Sequence, residues 1–177
     1  MMNIYPDHYV NPNYAISTNS KSGLKSATSK FLSVTQWYQD SGTYVQNYMQ
    51  TCNETIYYSG CTLTSFTMTS NFMKSTNHNP GQVNTALGNN ACPFNWSAAA
   101  STYGLTHTLI ARDLNGLTRS SVESWIYSQI SNNYPVIVGL KLSSGSTHYV
   151  VAYGYVDTGS EYIYYIKKSN VIWSNYT

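Results

Sequence analysis

The sequence predicts one α+β domain in which short helices come first and an antiparallel sheet follows. Helical patterns occupy residues 62–74, 80–88, 97–103 and 118–131. An almost continuous apolar run at 135–142 is typical of a strand at the centre of a sheet. Residues 148–155 and 161–168 then read as two strands of a hairpin around a turn at 156–160. Helices followed by paired strands favour an α+β architecture.

The domain organisation follows from composition. A chain of 177 residues is long enough for one domain with a sizeable core. Residues 1–30 are small and polar, and we interpret them as a lead-in or a propeptide-like arm. The domain proper is expected to span 31–177, with short strands at 31–39 and 106–112.

The most informative motif is Ser59-Gly60-Cys61, which stands immediately before the first long helical pattern. A thiol at a helix N-terminus feels the positive end of the helix dipole, which favours the reactive thiolate. Backbone N–H groups at such an end can bind a developing oxyanion. The alternative is a buried cysteine that acts only as a small hydrophobic side chain.

A histidine downstream completes the pattern of a nucleophilic site. Ser146-Thr147-His148 precedes an apolar strand, which places the imidazole at the start of that strand. A cysteine followed far along the chain by such a histidine is the order that a Cys–His nucleophilic site requires.

Three segments, taken in order, make the chain resemble a known family. They are SGCTLTSFTMTSNFM around Cys61, residues 79–105, and residues 134–166 around His148. Together they resemble the papain-like cysteine peptidases of the double-glycine, bacteriocin-leader group. The resemblance implies a papain-like fold, in which a helical half carrying the nucleophile helix packs on an antiparallel sheet.

The resemblance also implies roles for individual residues. Cys61 would be the nucleophile, and His148 would accept its proton and later protonate the leaving group. An upstream glutamine would donate its side-chain N–H to the oxyanion; Gln39 is the first choice and Gln36 the second. The reaction would be hydrolysis of a peptide or related amide bond in a peptide or protein substrate, without a cofactor.

The third member of the site departs from the family pattern. An Asp or Asn on the strand that pairs with the histidine strand would orient the imidazole. The predicted hairpin places Lys168 near that position, and Asn170 is the nearest suitable side chain. The sequence therefore names Asn170 as candidate, while a lysine there would repel a protonated histidine.

Other functions remain open at this stage. A catalytically weak or inactive papain-like binding protein would explain Lys168, and a surface rich in Tyr and Asn suits recognition. The same Cys–His chemistry serves amide-transferring and deamidating enzymes. An extracellular structural or adhesive module is a further alternative, for which the Tyr/Asn/Ser/Thr texture is the only argument.

Composition excludes several classes of function. Charged residues make up only 9% of the chain, against about 25% in ordinary domains. Lysines and arginines form no basic stripe, so no nucleic-acid surface is expected. The apolar runs are too short for a membrane span. Cys61, Cys92 and His107 lack the spacing of metal ligands.

The low charge and the 18 tyrosines predict a secreted or cell-surface protein, although the first residues carry no signal-peptide pattern. Three cysteines leave one thiol if two of them pair. A Cys52–Cys92 disulfide with a free Cys61 would suit an extracellular thiol enzyme, and three reduced cysteines are the alternative. The oligomeric state is not indicated.

Overall fold

The computed structural model describes residues 28–108, 117–142, 145–159 and 162–170. The helices are α1 (Ile56–Ser59), α2 (Cys61–Lys74), α3 (Pro80–Leu87), α4 (Trp96–Thr102) and α5 (Arg119–Ser131), with a 3₁₀ turn at Gly88–Asn90. The strands are β1 (Thr28–Phe31), β2 (Tyr48–Met49), β3 (Glu54–Thr55), β4 (Val136–Lys141), β5 (Thr147–Asp157) and β6 (Tyr162–Lys168). The α+β class is thereby confirmed.

The helices begin and end where local chemistry requires. The Asn79 side chain accepts from the backbone N–H of Gln82 and the Gln82 side chain accepts in return, with Pro80 as the first residue of α3. At α5 the Thr118 hydroxyl accepts from the backbone N–H of Ser121, and the Ser121 hydroxyl donates to the Thr118 carbonyl. Helix α2 ends at Ser75, which has a positive φ of 53°. All four predicted helices are present, within one or two residues of their predicted ends.

Strand β5 is the centre of the main sheet. It pairs antiparallel with β6 along one side, and with β4 and then β1 along the other. The prediction that 135–142 is central is wrong among the strands described, because β4 pairs only with β5 there. Burial agrees, since Val150 and Val151 of β5 are fully buried whereas most of β4 is half-exposed or exposed.

Two other predicted strands differ from the structure. The strand expected at 31–39 ends at Phe31, and β1 starts at Thr28, where it pairs with Asp157. Residues 106–108 of the strand expected at 106–112 form no strand, and the rest of it lies outside the described residues. Most of the predicted lead-in, residues 1–27, also lies outside them.

A bulge divides the hairpin of β5 and β6 into two registers. Tyr155 pairs with Tyr164 on the turn side of the bulge, whereas Val150 pairs with Lys168 beyond it. The bulge lies between Ala152 and Gly154 and inserts one extra residue into β5. It therefore decides which residues of β6 come to lie beside the N-terminal end of β5.

Two hydrophobic clusters hold the halves together. One lies between the sheet and helices α2 and α5, and includes Met68, Ile130 and Val151. The other fills the helical half around Leu63 and Val83. Helix α2 contributes buried side chains to both clusters, so it is the element on which the sheet and the helical half meet.

A disulfide ties the helical half together. Cys52 and Cys92 are bonded, with a Cα–Cα distance of 5.6 Å, and Cys61 remains a free thiol. Of the two alternatives that the sequence leaves open, the structure has the paired one. No helix among the described residues is both long and apolar enough to cross a bilayer.

Gly60 separates the short helix α1 from α2. A glycine is required here because there is no room for a Cβ atom, and not because the backbone dihedrals are unusual. Its φ of −84° is accessible to every residue. A Cβ atom here would lie 2.3 Å from the Ile56 carbonyl oxygen and 2.6 Å from Ile56 Cγ2. A larger residue would therefore have to push the two helices apart.

We expect Gly60→Ala to lower the free energy of unfolding by about 1–3 kcal/mol, the usual cost of overpacking. Urea denaturation followed by circular dichroism measures the change. The exposed neighbour Ser59 provides a matched control, and Ser59→Ala should stay within about 0.5 kcal/mol of the wild type. Equal stability of Gly60→Ala and wild type would contradict the steric argument.

Candidate active site

Cys61 is the first residue of α2 and its side chain is half-buried. Its sulfur lies 4.0 Å from the hydroxyl of Thr62. Helix α2 runs for 14 residues without an acidic side chain in its first turn, so no carboxylate there opposes a thiolate at its N-terminus. The thiol is thus both accessible and placed at the positive end of a long helix.

His148 is the second residue of β5, and it is only 8% exposed. Its Nε2 atom lies 3.2 Å from the hydroxyl of Ser169, which immediately follows β6. The imidazole is therefore held from the direction of the neighbouring strand, where the sequence predicts an orienting group. The group that holds it is a serine that sequence reasoning did not single out.

Ser169 is the centre of a hydrogen-bond network. Its side chain is fully buried, and its hydroxyl lies 3.2 Å from Gln39 Oε1 and 3.1 Å from the Tyr149 carbonyl oxygen. The backbone N–H of Gln39 donates to the Ser169 carbonyl. One serine thus connects the predicted oxyanion glutamine with the predicted base.

Gln39 extends this network toward the nucleophile. Its Nε2 donates to the carbonyl oxygen of Tyr57, one turn before Cys61, over 2.9 Å. A chain of hydrogen bonds therefore runs from the helix entry at Tyr57 through Gln39 and Ser169 to His148. It links helix α1, which immediately precedes Gly60 and Cys61, with the N-terminal end of β5.

The structure distinguishes the two candidate glutamines. Gln36 Nε2 donates to the carbonyl oxygens of Trp37 and Lys168, over 2.7 and 2.6 Å. Both hydrogens of that amide are thereby engaged. Gln39 Nε2 carries two hydrogens and gives one to Tyr57, which leaves the other for an oxyanion. The two candidate amides therefore differ in how many of their hydrogens the described contacts use.

Lys168 does not occupy the place opposite His148 that the sequence suggested. It pairs with Val150 at the end of the ladder, and Ser169 and Asn170 follow after β6 has ended. Asn170 lines one cleft with Gln39, Asp40 and Tyr57. The predicted site residues Gln39, His148 and Asn170 are thus brought into one region of the molecule.

Burial lowers the pKa of His148 below its usual 6.5, because the charged imidazolium loses solvation. The charge of Asp40 acts in the opposite direction and that of Lys168 in the same direction as burial. Near neutral pH the imidazole is therefore uncharged and able to accept a proton. Among the described residues, no group of three or more His, Cys, Asp or Glu side chains comes together as a metal site.

The architecture defines a class of protein. A helical half with a cysteine at the start of its long helix, packed on an antiparallel sheet that carries a buried histidine, is the papain-like arrangement of cysteine peptidases. Residues 39–167 match the Peptidase_C39 like family, and the chain belongs to this family. The match begins at Gln39 and contains both Cys61 and His148. No match was found among curated proteins or among solved structures.

The lowered pKa of His148 predicts how stability depends on pH. Because the unfolded chain binds a proton near pH 6.5 and the folded chain only at lower pH, the unfolded state gains protons first on acidification. This contribution to stability is complete above pH 6.5 and is lost as the pH falls toward the lower, folded value. Urea denaturation at several pH values should show it, and His148→Gln should reduce the slope.

The control for this experiment is His107→Gln. His107 is exposed and stacks on Trp96, away from the buried network around Ser169. This variant should keep the wild-type slope between pH 5 and 7. A slope that His148→Gln leaves unchanged would show that other groups cause it.

Proposed function

We propose that the chain is a cysteine peptidase that hydrolyses a peptide or related amide bond, with Cys61 as nucleophile and His148 as general base. The observation that carries the proposal is the hydrogen-bond chain from Tyr57 through Gln39 and Ser169 to His148. It connects helix α1, which leads into the cysteine helix, to the buried imidazole by way of the oxyanion candidate. Membership of a cysteine peptidase-type family supports the same reaction class.

The steps follow from the protonation states. Neutral His148 takes the proton from Cys61, and the thiolate attacks the carbonyl carbon of the substrate. The resulting oxyanion accepts a hydrogen bond from the second N–H of Gln39 Nε2. The imidazolium then gives its proton to the leaving amine, and a thioester remains on Cys61. Water, activated by the same imidazole, hydrolyses the thioester and regenerates the thiol.

The cleft beside these residues is where we expect a peptide substrate to bind. Gln39, Asp40, Tyr57 and Asn170 line it, and Asp40 is the charged residue among these described lining residues. Asn170, which directly follows Ser169, remains our candidate for an additional contact to the imidazole. An amide-transferring or deamidating enzyme would use the same groups, and would differ only in the acceptor of the acyl group or in the amide attacked.

A non-catalytic binding protein is the second candidate, and one observation favours it. The group on His148 Nε2 is a serine hydroxyl and not a carboxylate, while Lys168 lowers the pKa of the imidazole further. Both features disfavour the imidazolium that forms during acyl transfer. Such a protein would retain the cleft and bind peptides without cleaving them.

Digestion of a synthetic peptide library, with mass spectrometry of the new termini, tests the activity. Wild-type protein should cleave a subset of peptides and Cys61→Ala none. Once a substrate is known, Gln39→Ala should lower kcat by about 10²–10³, the usual effect of removing an oxyanion donor.

The matched control is Gln36→Ala. Its amide is bound to two carbonyl groups, so its loss should lower stability by about 1–3 kcal/mol and should lower kcat less than Gln39→Ala does. Peptides that bind without cleavage would support the binding protein instead. Products that appear only with an added amine would indicate transfer.

We further propose that the protein is secreted or displayed at the cell surface. The Cys52–Cys92 bond supports this, because disulfides persist in oxidising compartments. Its two cysteines are 40 residues apart, and the chain-entropy model assigns a loop of that length about 4 kcal/mol. Detection of the chain outside the cells that make it would support the location, and confinement to a reducing compartment would contradict it.

We expect reductant to lower the urea midpoint of the wild type. The double variant Cys52→Ser/Cys92→Ser should already have that lower midpoint and should not respond to reductant. A wild type that is equally stable with and without reductant would contradict a stabilising disulfide.

A further inference from the structure

The hydroxyl of Ser169 has more partners than it has hydrogens. It carries one hydrogen, and its oxygen lies within 3.2 Å of Gln39 Oε1, His148 Nε2 and the Tyr149 carbonyl oxygen. A carbonyl oxygen can only accept. Whether the hydroxyl donates to His148 Nε2 or accepts from it therefore decides which ring nitrogen of His148 carries the hydrogen.

The amide of Gln39 can be oriented in only one way. If it were flipped, its oxygen would face the carbonyl oxygen of Tyr57 at 2.9 Å, with no hydrogen between them. Nε2 must therefore face Tyr57, and Oε1 faces Ser169 as an acceptor. Two of the three neighbours of the hydroxyl, Gln39 Oε1 and the Tyr149 carbonyl, are thus acceptors only.

The count of hydrogens around the Ser169 hydroxyl then favours one tautomer of the imidazole. If the hydroxyl donated to His148 Nε2, both acceptor oxygens would face it without a hydrogen. If His148 donates from Nε2, the hydroxyl accepts there and keeps its own hydrogen for Gln39 or Tyr149. Because a buried unsatisfied pair is costly, the second arrangement is the stable one.

We propose that Ser169 is a positioning residue that holds neutral His148 as its Nε2–H tautomer and, through the same hydroxyl, holds the amide of Gln39 with its nitrogen toward Tyr57 and the cleft. The tautomer leaves Nδ1 of His148 as the atom that accepts the thiol proton. This inference rests on the proposed function for its catalytic meaning, although the tautomer itself does not. A serine takes the place that the resemblance gives to Asp or Asn.

A neutral partner has a consequence for the pH profile. A carboxylate would stabilise the imidazolium, whereas a buried hydroxyl accepts a hydrogen bond without adding charge. Cys61 and His148 should then react from the neutral pair, and kcat/KM should fall as His148 becomes protonated at acidic pH. Ser169→Asp should move the acidic limb of this profile to higher pH.

Long-range ¹H–¹⁵N correlation spectra of histidine-labelled protein at pH 8 test the tautomer directly, with His148→Gln to assign the signal. We expect the wild type to show the Nε2–H pattern for His148. Ser169→Ala should shift the signal toward a mixture of tautomers, while Asn170→Ala should leave it unchanged. An Nδ1–H pattern in the wild type would overturn the proposal, whether or not the Ser169 and Asn170 variants fold.

Kinetics on a cleaved peptide separate positioning from a purely structural role. Ser169→Ala should lower kcat by at least 10-fold with little change in KM, and Ser169→Thr, which retains the hydroxyl, should recover most of it. If no peptide is cleaved but the Nε2–H pattern is present, the proposed function fails and the positioning of His148 stands. A tautomer that changes in Asn170→Ala and not in Ser169→Ala would assign the role to Asn170 instead.

Discussion

The attachment of residues 36–39 to the end of β6 is the constraint on which the site depends. Gln36 bonds the Lys168 carbonyl through its side chain, and Gln39 bonds the Ser169 carbonyl through its backbone. These contacts fix a segment without a strand ladder of its own against the sheet. They bring the amide of Gln39 next to the hydroxyl of Ser169, so the segment and the sheet end act as one support.

Local chemistry made much of the fold predictable. The helix that starts at Cys61 and the helix at Pro80 have start signals that are complete within a few residues, and the apolar run at 135–142 is unmistakable. The centre of the sheet was not predictable in this way. Burial of β5 depends on pairing with β4, which precedes it in the sequence, and with β6, which follows it. The apolar run in β4 does not show how many strands β4 pairs with.

The same distinction explains the candidate site. Cys61, which follows Gly60 at a helix start, and His148, at a strand start, stand in recognisable local contexts. Ser169 is one of many serines in a serine-rich chain. Its importance comes from a bulge that changes the hairpin register by one residue. Gly154 within the strand is a local signal of a bulge, but it does not tell which residues the bulge brings together. Side-chain bonds between Gln39 and Ser169 join distant parts of the sequence, so spacing alone could not choose between Gln36 and Gln39.

The bulge also divides the hairpin into two parts with different registers. Pairing from Gly154 to Asp157 lies on the turn side, while pairing from Val150 to Ala152 lies beyond the extra residue. Loss of a single residue at the bulge would reverse which side chains of the sheet end face the imidazole. The number of residues between the bulge and His148 must therefore be kept for the same side chains to face the imidazole.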